Sequence, residues 1–503
     1  MVKNILIVGG GTSGWCSAAA LTKFCPEISI TVIESSSIPT IGVGESTIQF
    51  FNYFIRLLEL KDEEWMPYCN ATYKGSIKFS NFKTNDYYHA PFKNLDRDTF
   101  LNTAIEWSKA RIVDKNLKNS QYAGVAWPGS YLFDEHKIPE SGYDEELNFS
   151  IDENVSYNLD ASKFGEWLKN NYCKPKGVKV IDDVIEVITK NEDGSIHSLN
   201  NKYKADLYID CTGFKSLLLN ELEVEFTPYK ELWNDRAVVV NNIPYSDKDK
   251  ELEFVVDTIA KDSGWIWNIP LWNRISNGFV HSSKYLTEEE AKAKLLEHIA
   301  EVRGKKIAEK CTPFVVPFKN GRRNVAWKKN VVGIGLSFGF IEPLGSTGLF
   351  LTQMGILGLI RTLRTKRNDY NIVDINAFNE HQIAIIDDLK DFYLIHFVLT
   401  DREDNSYWKH IKYGVDITSK SFERNLLELG SISKFDDTID IQFLEYRCWQ
   451  YIGMGYTPNP LNLYLDDKYQ HNINEREKYF KQHIKNMPSI YNWLKTNIYK
   501  NYD

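Results

Sequence analysis

The sequence predicts an α/β protein: a doubly wound parallel sheet of the dinucleotide-binding type, joined to a mostly helical second region in a single compact body. Two observations carry this. An apolar, β-branched run at residues 3–8 opens directly onto Gly9-Gly10-Gly11-Thr12-Ser13-Gly14, which spells GxGxxG. Two further strand-like segments, Ala205–Gly213 and Asn330–Gly335, end at glycine-containing turns far along the chain. The length agrees: 503 residues allow about three units or one large discontinuous fold. Apolar residues make up 43 % of the chain, ample for a buried core.

Each element of the first segment has a physical job. Residues 3–8 read as a buried parallel strand. Gly9 makes the tight turn, Gly11 lets a pyrophosphate approach the backbone, and Gly14 lets helix and strand pack closely. Ser17–Leu21 are good helix formers, and the free N–H groups at the helix N-terminus face the phosphates, with Thr12 and Ser13 among the expected cofactor contacts. A second strand, Ser29–Ile33, ends at Glu34, an acid placed to accept from ribose hydroxyls. This unit alone leaves NAD and FAD both open. The strands ending in Asp210-Cys211-Thr212-Gly213 and Gly333-Ile334-Gly335 lean to FAD, because a nicotinamide enzyme usually completes its nucleotide fold in a more contiguous stretch. The cofactor domain is therefore expected from residues 1–85 and 155–355. Residues 86–154 and 356–503 are expected to form a mainly helical substrate-capping region. Candidate helices are Glu288–Glu301 and Ala377–Phe397, each charged on one face and apolar on the other.

Composition excludes several classes. With 60 Lys+Arg against 68 Asp+Glu the net charge is −8, and without a basic block nucleic-acid binding is not expected. No apolar run approaches the roughly 18–20 residues of a membrane helix, and the N-terminus does not read as a signal peptide. Seven cysteines without CxxC spacing argue against a disulfide framework and against a metal site. The expectation is a soluble, cytoplasmic protein. Aromatics reach 14 %, which fits a large core with Tyr and Trp at its rim or a planar ligand lying among rings.

Four segments carry candidate chemistry. Gly264-Trp265-Ile266-Trp267-Asn268-Ile269-Pro270 as a strand puts Trp265 and Trp267 on one face, either as a packing pair or as a wall beside a flavin. Ile41–Thr47, containing Gly42, Val43, Gly44 and Glu45, is an ordinary turn or a loop that covers a planar cofactor. Asn70–Phe79 alternates, with Thr72, Lys74, Ser76 and Lys78 on a polar face and Tyr73, Ile77 and Phe79 toward the core. A lysine there is ordinarily just solvated. In Phe340–Phe350, Ser346 or Thr347 can cap the helix that follows, and its glycine-rich start suits a halide or oxyanion.

Together these residues resemble the flavin-dependent halogenases of the tryptophan halogenase family. The WxWxIP hallmark is matched by Trp265, Trp267, Ile269 and Pro270. GGGTSGW at Gly9–Trp15, GVGE at Gly42–Glu45, the lysine strand, DCTGF at Asp210–Phe214 and EPL-x-STG at Glu342–Gly348 match as well. The many Asn, Lys and Ile fit a phage-encoded member. The resemblance implies FAD as cofactor, used as FADH2 with dioxygen and halide, and adds Gly335 and Leu344 to its contacts. It implies that halide is oxidised to hypohalous acid beside the flavin and that the acid is held by Lys74 for electrophilic attack on an aromatic substrate. The backbone of Thr347 and Gly348 would hold the halide. The two tryptophans would separate flavin from substrate and prevent ordinary monooxygenation; an FAD-dependent monooxygenase of the same nucleotide fold is the alternative reading.

Two departures shape the expected substrate. The family's glutamate in its EPLESTG segment is replaced by Gly345, with Glu342 and Ser346 as neighbouring polar residues. The family's C-terminal Tyr-Tyr…Glu…Phe-Trp…Asn clamp for free tryptophan has no counterpart in about 430–456. His89 aligns with an aromatic-stacking histidine, and Phe92 lies one step from a second stacking position. A phenol or indole type of arene is therefore expected rather than free tryptophan, with bromide and iodide used at least as well as chloride. The chain offers no nicotinamide site, so a separate NAD(P)H-dependent flavin reductase would supply FADH2 by diffusion. The family includes dimers, so the resemblance admits a homo-oligomer.

Overall fold

In the computed structural model, residues 1–38, 44–95, 97–415, 449, 452–455 and 468–502 are described. The chain divides into two compact units, each assembled from three separate segments: Met1–Ala71, Leu159–Lys230 and Lys319–Lys390 form the first, and Thr72–Asn158, Glu231–Phe318 and Asp391–Asp503 the second.

The first unit is built on a six-stranded sheet in the order Lys179–Asp182, Ser29–Glu34, Asn4–Val8, Leu207–Asp210, Val331–Gly333, Trp327–Lys328. Five strands run parallel and the last pairs antiparallel. The early and late strands therefore do share one doubly wound sheet, as the sequence predicts. The register aligns their carboxyl ends, Val8 beside Asp210 and Asp210 beside Gly333. The order reverses there, at the first strand, which is where open α/β sheets bind ligands. Helix Thr12–Phe24 follows the first strand, and Leu6, Val8, Ile33, Tyr208, Leu218 and Val331 belong to the buried core.

The acid that ends the Leu207–Asp210 strand is a structural fastener. Fully buried, Asp210 accepts from the Thr212 N–H and hydroxyl at 3.0 and 2.7 Å. It also accepts from the N–H groups of Leu218 and Leu219 at 2.7 and 3.1 Å and from the Ser337 hydroxyl at 3.0 Å. Five donors satisfy a carboxylate that would otherwise be costly to bury. They lock both late turns to the sheet edge.

The second unit holds a seven-stranded sheet in the order Phe314–Pro317, Arg236–Ile243, Ile275–His281, Gly264–Pro270, Val255–Lys261, Ser76–Ser80, Tyr87–Pro91. Helix Glu288–Arg303 packs beneath it, its start fixed by a capping box in which Thr287 and Glu290 bond reciprocally. Val238, Ile266, Phe279, Leu295 and Ile299 fill the space between. The second expected helix also forms, over Ile372–Val398.

The units differ from the division expected from sequence. Residues 231–318, expected with the cofactor domain, belong to the second unit, because Val255–Lys261 pairs in parallel with Ser76–Ser80 and extends that sheet. Residues 356–390, expected with the capping region, belong to the first, because helix Gly348–Thr365 packs on helix Thr12–Phe24. The second unit thus carries a large sheet drawn chiefly from residues 231–318, while the described residues of 97–154 and 356–503 are mainly helical, as expected. Among the described residues no helix is long and apolar enough to cross a membrane.

Candidate active site

In the first unit the nucleotide turn has the shape its residues require. Gly9 has φ 113°, and a Cβ there would lie 2.2 Å from the Cys211 carbonyl oxygen. A Cβ on Gly14 would lie 1.9 Å from the Gly9 oxygen, whereas one on Gly11 would meet nothing within 4 Å. The turn is thus closed where strand meets helix and open where a pyrophosphate would lie. Thr12 bonds through its hydroxyl to the Ala161 carbonyl at 2.8 Å, and Ser13 meets the Thr352 hydroxyl at 3.1 Å. Gly335 stands against that pair: a Cβ there would lie 2.5 Å from Ser13 Oγ. Glu34 accepts from Trp15 Nε1 at 3.2 Å and pairs with Lys169, a lysine that sequence reasoning missed.

Of the expected cover loop, Gly42 and Val43 lie outside the described residues. Gly44 has φ 78° and Glu45 begins a short strand. Burial pushes the Glu45 carboxyl up to about 7. Its Oε2 lies 3.9 Å from where a Gly348 Cβ would be, so the loop and the expected halide segment are neighbours. Glu342, Leu344, Gly345, Ser346 and Thr347 are all buried. The Glu342 N–H donates to Asn320 Oδ1 at 2.7 Å. Ser346 adopts φ 58°, and Thr347 occupies the N-cap of helix Gly348–Thr365 without a capping bond from its side chain. Thr347 thus does not give the side-chain cap expected of it or Ser346; Gly348, at the helix start, is exposed.

In the second unit Lys74 is not on a solvated face. It is fully buried at the end of a short strand, Thr72–Lys74, which pairs with Ser156–Leu159. Gly75 ends that strand and a new one begins at Ser76, so the single alternating strand expected from sequence is two. Phe133 packs against Gly75 so closely that a Cβ there would lie 2.3 Å from the ring. The Lys74 ammonium sits 5.3 Å from the centroid of the Phe92 ring, and burial holds its basicity well below that of an ordinary lysine.

Trp265, Trp267, Ile269 and Pro270 are buried along one strand, with the two indoles 6.0 Å apart and tilted by 55°. Trp267 lies over its cross-strand partner Gly278, where a Cβ would come within 2.1 Å of the indole. The Thr72 hydroxyl donates to the Pro270 carbonyl at 2.6 Å, which fastens the lysine strand to the end of the tryptophan strand. His89, 3 % exposed, meets the Ser76 hydroxyl at 2.8 Å and Asp134 at 3.2 Å. Burial opposes ionisation of Asp134, but the charge and hydrogen bond of His89, with Lys78 and Tyr87, hold its carboxyl far below the usual range. Ser76 was legible as part of the polar alternation; nothing in Phe133-Asp134-Glu135 signals Asp134.

Comparison with known proteins gives the same reading. The tryptophan halogenase family pattern matches residues 4–466. The 7-chloro-L-tryptophan 6-halogenase KtzR of Kutzneria sp. (strain 744) is 33 % identical over 440 residues, 81 % of each chain. The apo structure of VirX1 is 33 % identical, with a TM-score of 0.88 over 99 % of both chains. Xcc4156, a flavin-dependent halogenase from Xanthomonas campestris, is 26 % identical with a TM-score of 0.81, covering 99 % of this chain and 98 % of that one. The chain belongs to the tryptophan halogenase family and is a flavin-dependent halogenase, an oxidoreductase that uses reduced FAD and dioxygen.

Proposed function

We propose that this protein halogenates an electron-rich arene of the phenol or indole type through Lys74. The observation that carries the reading is the state of that lysine: fully buried, resting on Phe92, with its charged form penalised by desolvation. Its basicity is therefore lower than that of a surface lysine, which makes the neutral amine easier to reach. It can take up the halogen as an N–halogen bond or, protonated, donate a hydrogen bond to hypohalous acid.

The first unit fits FAD. The open side of Gly11 would receive the pyrophosphate at the start of helix Thr12–Phe24, and Glu34 would accept from the ribose. Reduced FAD, when bound, supplies with dioxygen the oxidising equivalent that turns halide into hypohalous acid. The N–H groups of Thr347 and Gly348, at the start of an 18-residue helix, suit the halide. Trp265 and Trp267 serve as a bulky wall, and His89 and Phe92 as part of the substrate pocket.

Gly345 has no side chain, so the site has no carboxylate at that position to take a proton or to crowd a larger halogen. This supports a self-activated phenol or indole over free tryptophan, and bromide and iodide used at least as well as chloride. A separate NAD(P)H-dependent flavin reductase delivers the reduced flavin by diffusion.

The test is incubation with FAD, a flavin reductase, NADH, oxygen and bromide over a panel of indoles and phenols, with products read by mass spectrometry beside Lys74→Ala. Brominated product from the wild type, lost in Lys74→Ala while flavin oxidation continues, is the expected result. Equal bromination by both proteins would mean that free hypobromous acid does the work. Hydroxylated product would return the monooxygenase reading.

A further inference from the structure

Three side chains of the second unit form a line of hydrogen bonds from the interior outward. Ser76 Oγ lies 2.8 Å from His89 Nδ1, and His89 Nε2 lies 3.2 Å from Asp134 Oδ1. Ser76 is fully buried and His89 nearly so, while the Asp134 side chain is 36 % exposed. Tyr87 donates to Asp134 Oδ2 at 2.8 Å and Lys78 stands 3.5 Å from Oδ1, so the carboxyl is kept ionised. An ionised Asp134 accepts from the Nε2–H of His89, and the resting state of the proposed line is the neutral ring. That leaves the Nδ1 lone pair facing Ser76, whose hydroxyl donates to it. This is the order of groups in a serine–histidine–aspartate triad, with the two ring nitrogens exchanged.

The line starts beside Lys74. Ser76 is the second residue after it, and the Gly75 between them is the point where both are anchored. The Phe133 ring packs on Gly75 and lies 5.7 Å from the His89 ring, and Phe133 is followed directly by Asp134. The N–H of Phe92, the ring under the Lys74 ammonium, donates to the Gly75 carbonyl at 3.4 Å. Electrophilic halogenation transfers no acyl group, so a triad here has no acyl transfer to perform. The arene ring itself must give up one proton per turnover.

We propose that Ser76, His89 and Asp134 form the proton outlet of halogenation, an inference that rests on the reading of Lys74 as the halogen carrier. The arene's π pair forms the carbon–halogen bond, and the bonding pair of the halogen's former bond stays on oxygen, or on the Lys74 nitrogen, which takes up a proton from water. The C–H pair then returns to the ring and the proton passes to Ser76 Oγ, as the Ser76 hydroxyl proton moves to His89 Nδ1. Asp134 holds the imidazolium until it gives its Nε2 proton to water; the substrate's proton has by then restored the Ser76 hydroxyl, and exchange with water returns the neutral ring to its Nε2–H form. No further oxidant is needed, since hypohalous acid carries the oxidising equivalent. Ser76 is the group that meets the substrate proton; His89 and Asp134 act through it.

The experiment uses indole and bromide with the complete flavin system, comparing indole with indole deuterated at the carbon that the wild type brominates. In the wild type, deprotonation is fast and the two substrates react alike. In Ser76→Ala, turnover falls by roughly 10²-fold, the scale of general-base assistance, and a primary isotope effect appears because deprotonation has become rate-limiting. Ser76→Thr restores the hydroxyl and the wild-type pattern. Asp134→Asn, a near-isosteric change at the exposed end, shifts both readouts in the direction of Ser76→Ala and serves if that variant does not fold. Loss of rate with no isotope effect in Ser76→Ala and Asp134→Asn, or unchanged rates in both, overturns the outlet. Failure of the Lys74 reading looks different: Lys74→Ala would then brominate as well as the wild type.

Discussion

The Thr72 hydroxyl reaches the Pro270 carbonyl at 2.6 Å, so the strand that carries Lys74 is fastened to the strand that carries Trp265 and Trp267. The same hydroxyl accepts from Asn158 Nδ2 at 3.3 Å, and all three residues are buried. Thr72→Val keeps the shape and strands two buried polar groups. The expected cost is about 1–3 kcal/mol in urea unfolding. Halogenated product per flavin oxidised should fall as well, since the bond positions the lysine. A Thr72→Val protein with full stability would show that the bond holds nothing together.

Gly11 and Gly14 look alike in the GxGxxG string but differ in what surrounds them. Gly14→Ala forces a methyl group to 1.9 Å from the Gly9 oxygen and should cost about 3 kcal/mol or more. Gly11→Ala meets nothing within 4 Å, and its backbone at φ −74° suits any residue. Its thermal unfolding should match the wild type, while FAD affinity in a fluorescence titration drops at least about tenfold, ~1.4 kcal/mol. Unchanged FAD binding in Gly11→Ala would place the pyrophosphate elsewhere.

These contrasts show what was legible in the sequence. Local signals with a fixed geometry are legible: the strand into Gly9, the strand that ends at Asp210 and the alternation that puts Trp265 and Trp267 on one face. The family pattern then joined segments hundreds of residues apart. What the chain alone could not disclose depends on packing across strands. Lys74 reads as a solvated residue of a polar face, and only the Ser156–Leu159 strand and Phe92 reveal it as buried. Lys169 and Asp134 meet Glu34 and His89 across 135 and 45 residues, with no local spacing to signal either pair. The Gly430–Tyr456 stretch, the place of the family's substrate clamp, lies almost entirely outside the described residues.

Gly278 is the hidden partner of the WxWxIP strand. Its missing side chain makes room for the Trp267 indole, and a methyl group there would come within 2.1 Å of the ring. Gly278→Ala should turn the indole out of place at a cost of about 1–3 kcal/mol and change the tryptophan fluorescence. If Trp267 is the wall that keeps reduced flavin and substrate apart, hydroxylated by-products should rise in the same variant. Stability and spectrum equal to the wild type would mean that the strand accommodates the methyl group without moving Trp267.

Lys74 also makes a prediction about stability that runs opposite to its value for activity. Burial lowers its basicity in the folded protein, while the unfolded chain keeps the ordinary lysine value near 10.5. Between the lowered folded value and 10.5 the unfolded state binds a proton that the folded state does not, so stability contributed by this site rises with pH through that window. Below the window the folded state bears the cost of a buried charge. Lys74→Met fills similar space without a charge. It should unfold at a higher temperature than the wild type at neutral pH, with the gap narrowing as pH is raised toward 10, and it should make no halogenated product. Melting curves at a series of pH values decide it. A Lys74→Met protein less stable than the wild type at every pH would mean that hydrogen bonds to the ammonium outweigh its desolvation.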